Sequence, residues 1–481
     1  MRLTSTFILT LLFNTSIFAQ FSYKEYPQSA HQFVLDYSIT SNGDNLVSGY
    51  TSSHTANPLY GKAGFIAKTD INLNLVWYKD LVAFGNTFCS AVTETPDGNL
   101  VAFGSANNNA QVLKMDMNGD TIWTKTIIVP SAVTFMYTNP QDPANIINTK
   151  DGGFATVSTG INFNHSNDSR QIFVSKLDAN GDTLWTYFNR IDIDTHTSYG
   201  FDIIEDVLGN LYVTGQIDGG NASCSFDNCI LKFNTSGELL YKKTYFPGTG
   251  YELLFGYNGN LIMTGYSFSH ITNGPSGPWL IEIDPVSGDT VKVKRHFTKD
   301  QCDKYSKLIQ YGDNSNNFLA LGFGFSPVGT YVTKLDNNLD LKANHVPIPL
   351  LNDVAYINNS TFVFAGSRYE SGQRDFFLMS VDSLLDFEQY SSVTYFTSTQ
   401  NFEVYPNPSH NGVFNISIDN NTQLQQENIH LYSIQGKQLP LPRFSNTTKE
   451  SIIDLSSLPD GQYILSITTD TYHNTQIISK Q

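Results

Sequence analysis

Carboxylates, imidazoles and thiols are scattered thinly along this chain, so the few that fall close together mark where acid–base, metal or redox chemistry could be housed. Asp192, Asp194 and His196 place two carboxylates and an imidazole on one short segment. That set can hold a cation or exchange protons, and a solvated acidic loop has the same composition. Asp178-Ala179-Asn180-Gly181-Asp182 opens like a calcium loop, but its glycine is displaced and its twelfth position is Asn189 instead of a bidentate Glu, so it reads as a hairpin turn. Cys224 and Cys229 enclose four residues and either close one loop as a disulfide or remain two separate thiols. Cys89 and Cys302 read as small core residues. Tyr60, Phe163, Phe226, Phe268 and Tyr369 have flat faces that stack against sugars or pack their own loops.

Motifs with a built-in mechanism are missing. There is no His pair at helical metal spacing, no Cys-x-x-Cys, no Gly-x-Ser-x-Gly elbow and no phosphate loop, and Gly322-Phe323-Gly324 lies inside a strand repeat. The sequence therefore designates no catalytic, cofactor-binding or metal residue. A formal charge of −16 offers no basic surface for phosphates, which argues against nucleic acid and anionic membranes as partners.

The elements that would position any site are strands. The 481 residues are 40% hydrophobic and 13% aromatic but only 15% charged, and Gly, Asn, Tyr, Phe, Thr and Ser are abundant, a composition of strands joined by turns. One unit recurs seven times, its second strand ending in Gly49, Gly104, Gly160, Gly215, Gly265, Gly322 and Gly366, 44 to 57 residues apart. A third-strand signature keeps step with it and ends at Asp70, Asp116, Asp178, Asn234, Asp284, Asp336 and Asp382. The length and the four-strand pattern are those of a propeller blade, and seven copies make a closed ring; a β-sandwich would not demand seven copies of one meander. Asp97-Gly98 and Asn118-Gly119 make the first and third turns of one unit. Asp70, Asp116 and Asp178 are followed seven places on by Trp77, Trp123 and Trp185, with Tyr241 and Val291 in the matching place later. The acid suits a turn and the ring suits the gap between blades.

In such a meander the first and third turns lie on one face. The second-to-third loops and the crossovers lie on the other, where the segments differ most in length and composition, from 51–62 and 127–144 to 161–170, 216–228 and 267–277. Variable loops on a rigid ring are where binding is expected.

The two ends read as addresses. Arg2, the apolar run Phe7 to Phe13 and small Ala19 before Gln20 make 1–19 a secretion signal peptide cleaved between Ala19 and Gln20. No later stretch is long and apolar enough to span a bilayer. The repeats occupy 20–389, a Ser- and Thr-rich linker 390–401, and a compact domain of regularly spaced strands 402–481, suggesting a small immunoglobulin-like sandwich. Three motifs stand there in order: Tyr405-Pro406-Asn407-Pro408, Leu431 to Gly436 and Lys437, and Leu458-Pro459-Asp460-Gly461-Gln462-Tyr463. This stretch resembles the type A C-terminal sorting domain of the type IX secretion system of Bacteroidetes, departing mildly at Ser433 where an acidic residue is usual. The resemblance implies an outer-membrane translocon as partner, and a surface-attached or released protein. The Trp pattern resembles the docking repeat of quinoprotein-type propellers, which occurs widely without a quinone and is taken as architecture. Asp120-Thr121-Ile122, Asp182-Thr183-Leu184 and Asp289-Thr290-Val291 resemble the acceptor triplet of Bacteroidetes O-glycosylation, although each falls on a repeated turn.

The expected fold is thus all-β, a seven-bladed propeller followed by a small sandwich. The expected function is a secreted or cell-surface module, not an enzyme, binding a glycan or protein. The alternatives are a polysaccharide-cleaving enzyme with its residues scattered over the blades and a structural matrix component. Three or more acidic, His or Arg side chains converging at the central channel would favour the enzyme.

Overall fold

The computed structural model describes residues 22–26, 30–52, 62–81, 87–106, 109–128, 144–162, 169–188, 197–218, 226–267, 277–296, 304–312, 317–325, 328–348, 351–357, 361–370, 373–382, 402–418, 429–433, 438–441, 443–446, 451–469 and 472–481. They form strands and turns and no helix. The chain divides into two compact units, 1–385 and 386–481.

The first unit is a seven-bladed propeller. Six blades are antiparallel meanders taken in chain order, within 31–80, 87–126, 145–188, 198–247, 249–295 and 304–348. The seventh combines Leu351–Ile357, Thr361–Glu370 and Gln373–Asp382 with the N-terminal strand Ser22–Tyr26, which pairs antiparallel to Gln373–Asp382 as the outermost strand. The first strand of each blade packs against the first strand of the next, and blade 7 against blade 1, so these seven strands ring the axis. The second strands are the most deeply buried, as in Leu100–Ala106, where every residue is buried. The fourth strands face outward and leave Val76, Ile122, Leu184 and Val291 exposed.

The turns work as their residue types dictate. The Asp70, Asp116 and Asp178 carboxylates each accept the backbone N–H groups two and four residues on, at 2.7 to 2.9 Å. The hairpin reading of Asp178 to Asp182 is therefore the one the geometry matches. Glycine closes this turn in four blades, and at Gly181 and Gly237 (φ +80° and +84°) it is required twice over. A Cβ there would stand 2.5 Å from Trp123 and 2.6 Å from Trp185 of the preceding blade. Leu73 and Leu339 occupy the same turn position with φ 63° and 62°. That conformation costs roughly 1 kcal/mol or more, and it is offset by burying both side chains between blades, at 1% and 2% exposure.

Blade-to-blade contacts repeat too. Trp77 Nε1 donates to the Met117 carbonyl (2.9 Å) and Trp185 Nε1 to that of Thr235 (3.2 Å), while the Tyr241 hydroxyl donates to that of Pro285 (3.3 Å). Each ring thus docks on the third turn of the following blade. Lys79–Asp120, Lys125–Asp182, Lys243–Asp289 and Lys294–Asp340 add ion pairs at matching positions. Their carboxylates are exposed, so solvent screens these pairs and they add little to stability. The N-terminal strand makes the same kind of contact across the closure: the Tyr26 hydroxyl donates to the Leu73 carbonyl at 2.6 Å, and Lys24 reaches Asn74.

The second unit is a sandwich of two four-stranded sheets. One orders Phe402–Tyr405, Val413–Ile418, Ser451–Asp454 and Arg443–Asn446; the other orders Gln438–Leu439, Ile429–Ser433, Gly461–Thr469 and Tyr472–Lys480. Phe414, Ile416, Leu431, Ile453, Leu465, Ile467 and Ile478 fill its core.

Candidate functional site

Several residues singled out in the sequence lie outside the described ones: the signal peptide with Ala19 and Gln20, Asp192, Asp194, His196, Tyr60, Phe163, Phe268, Cys224, Gly436 and Lys437, as does the side chain of Tyr369. Cys229 is a fully buried thiol packed among Ile203, Val213 and Leu231, and burial pushes its pKa well up. Phe226 meets Tyr199 edge-on, with ring centroids 5.8 Å apart. Among the described residues, no three His, Cys, Asp or Glu side chains are arranged to hold a metal ion.

What the structure gathers instead is a ring of side chains around the axis. The innermost strands of blades 1, 2, 4, 5, 6 and 7 carry a register shift. The residue just after it is Asp36, Ala91, Asp202, Glu252, Lys307 or Asp353, and Asn145 holds the corresponding place in blade 3. Three of the carboxylates clasp the following blade. Asp36 accepts the Val92 amide (2.9 Å), Asp202 the Leu253 amide (2.9 Å) and Asp353 the Tyr37 amide (3.2 Å). Asn145 donates to Asp202 at 2.6 Å. Lys307 stands between its neighbours, 3.1 Å from Glu252 and 3.4 Å from Asp353.

Four carboxylates facing one ammonium cannot all ionise cheaply. Burial pushes the Asp36 carboxyl up to about 7, helped by the Asp353 charge and opposed by Lys307 and two backbone amides. Burial also raises Asp202, Asp353 and, most strongly, Glu252, each against the pull of Lys307. Burial works against the Lys307 charge as well, but Asp353, Glu252, Asp36 and Asp202 outweigh it and hold the ammonium well above its usual range. No sequence motif announced this ring, because each blade supplies one residue and the residue types differ.

Beside the ring, a cavity of about 240 Å³ opens where blades 6, 7 and 1 meet. It is lined by Phe33 and Val34, by Lys304, Ser306 and Phe323, and by Leu351, Asn352, Ser367 and Arg374. These residues sit at the ends of strands that lead into second-to-third loops or follow crossovers, which places the cavity on the variable face. Ser306 and Asn352 directly precede Lys307 and Asp353, so the cavity borders the strands that carry the axial ring.

In the sandwich, the separate motifs meet. Asn407 donates to the Ile477 carbonyl and accepts from the Ser479 amide, both at 2.9 Å. The Tyr463 hydroxyl donates to the Pro459 carbonyl at 2.6 Å. Lys480 reaches the Leu458 carbonyl at 2.6 Å and Asp460 at 3.0 Å. The Tyr405-Pro406-Asn407-Pro408 segment, the Leu458 to Tyr463 turn and the last strand are thus joined, while Tyr405, Pro406, Asn407 and Pro408 stay exposed.

Comparison with curated proteins returns no match. Among solved structures the chain is similar to polysaccharide lyase Uly1 (TM-score 0.47, 8% identity, 74% of this chain and 91% of that one). It is also similar to a protein of unknown function from Dyadobacter fermentans (0.46, 9%, 75% and 97%) and to the β-propeller domain of the Trilobed protease from Pyrococcus furiosus (0.42, 9%, 72% and 95%). The seven-bladed fold stands on the strand pairing itself. Residues 403–481 match the family described as the secretion system C-terminal sorting domain, and by that domain the chain is a protein of the type IX export route, delivered to the cell surface or secreted.

Proposed function

We propose that the propeller is a non-enzymatic binding module that presents a glycan or protein ligand site on its variable face, bordering the strands that carry the axial ring. The observation that carries this reading is the polar cavity between blades 6, 7 and 1. The axial carboxylates meet the clustering condition set for an enzyme, and a carboxyl pushed to about 7 at Asp36 is suited to moving protons near neutrality. Their bonding favours closure of the ring instead: Asp36, Asp202 and Asp353 hold amides of the next blade and Glu252 is paired with Lys307. Glycan-array and pull-down experiments on the secreted chain test the binding reading. Release of new sugar ends from a bound polysaccharide, lost in Asp36→Asn, would establish the enzyme in its place.

The outer-membrane translocon is the partner of the sorting domain. Deleting 402–481 is expected to abolish surface exposure and leave the propeller behind the outer membrane, read by protease shaving of intact cells. Unchanged delivery would remove the assignment.

A further inference from the structure

We infer that the cavity between blades 6, 7 and 1 takes an acidic sugar unit, a uronate or sulfated residue of a polysaccharide; this rests on the binding-module reading above. Two cations, Lys304 and Arg374, line the cavity, and no carboxylate is among its described lining residues. That local balance is opposite to the −16 of the whole chain. Arg374 is held in place: its guanidinium carbon lies 4.6 Å from the centroid of the Phe33 ring, and Phe33 is stacked on Tyr50 at 4.6 Å and 2°. The Arg374 amide donates to His31 Nδ1 at 2.9 Å, which fixes the strand that carries it. A guanidinium lying on a ring keeps its edge N–H groups for a planar carboxylate or a sulfate, the geometry in which arginine recognises such anions. Lys304 is set 4.9 Å over the Tyr251 ring; Lys307 and Asp353, which follow the lining residues Ser306 and Asn352, are paired with each other and add no net charge.

The remaining lining suits hydroxyl groups. Ser306, Asn352 and Ser367 contribute two hydroxyls and an amide; Ser367 already accepts the Val34 amide at 2.9 Å and keeps its own proton to donate. At about 240 Å³ the space is below the range of about 300–1,000 Å³ typical of drug-sized ligands and fits one sugar ring. An acidic peptide would instead need a groove with backbone partners.

The test uses the mature chain, residues 20–481, in affinity electrophoresis through polygalacturonate, dextran sulfate, neutral dextran and polyglutamate. Retardation by polygalacturonate or dextran sulfate and by neither other polymer is expected, the two acidic polymers telling carboxylate from sulfate. Arg374→Gln should weaken binding about tenfold or more, Lys304→Gln should weaken it less, and Arg374→Lys should restore part of it. Lys342→Gln, which removes an exposed charge on the outer strand of blade 6, should change nothing. Equal retardation by neutral dextran, preference for polyglutamate, or glycan binding untouched by Arg374→Gln overturns the acidic-sugar assignment and leaves the module reading standing. Failure to bind any glycan or protein overturns both.

Discussion

Replacing Lys307 with methionine is expected to destabilise the propeller by up to about 3–5 kcal/mol at pH 8, because it leaves the buried Asp353 and the partly buried Glu252 without their counter-charge. The loss should shrink at pH 5. The axial carboxylates have folded-state pKa values above their unfolded ones, so between about pH 4 and, for Asp36, about 7, the folded protein binds more protons than the unfolded chain. Their contribution is complete below the unfolded value and fades as pH rises through the folded one. Lys307, raised above its ordinary value, keeps its contribution through neutrality and loses it only in strong alkali. The wild-type chain should therefore show a higher urea midpoint at pH 5 than at pH 8, and Lys307→Met should widen the gap. A companion Glu252→Gln should recover part of the stability lost at pH 8. Equal midpoints for wild type and Lys307→Met at pH 8 would remove the Lys307 ion pairs from any role in holding the blades.

The second large effect is expected at the closure. Tyr26 is buried, stacked on Phe376 at 4.5 Å, and bonded to Leu73 of blade 1, so one side chain joins the last blade to the first. Tyr26→Ala should lower stability by about 3–5 kcal/mol, the range for truncating a large buried aromatic. Removing Ser22–Tyr26 altogether should do more. It uncovers the edge of Gln373–Asp382, an apolar strand containing Phe376, Phe377, Leu378 and Met379, and an uncovered apolar edge pairs with other chains. Size-exclusion chromatography should show the deleted chain as aggregates; a monomer with an unchanged melting temperature would mean that the ring does not depend on this strand.

These two features separate what is legible in the sequence from what is not. The blades are legible because their signals are local: the Asp that bonds the amides of its own turn, the glycine with positive φ and the aromatic seven residues on lie within one hairpin. The longer sandwich strands are legible for the same reason, but Phe402–Tyr405, Gln438–Leu439 and Arg443–Asn446 are not, being too short to alternate visibly. The axial ring and the cationic cavity are not legible, since their members come from different blades and share no residue type. Ring closure left one trace. The seventh repeat's third-strand signature at Met379 to Asp382 runs toward a Ser- and Thr-rich connector with no fourth-strand signature in the sequence, and the structure supplies Ser22–Tyr26 as the outer strand of that blade.

That borrowed strand also sets an order of events. Ser22–Tyr26 is the first strand of the propeller to be made, yet the strand it pairs with, Gln373–Asp382, arrives last of all the blades. Blades 1 to 6 contain all their own strands and can form as they emerge, but the ring has to stay open until the final hairpin meets a segment waiting across nearly the whole propeller. Joining them requires closing a very long loop, the kind of distant contact that slows folding. Six blades can thus form in chain order, while the ring as a whole becomes rigid only once the chain has emerged as far as Asp382, just ahead of the segment that leads to the sorting domain.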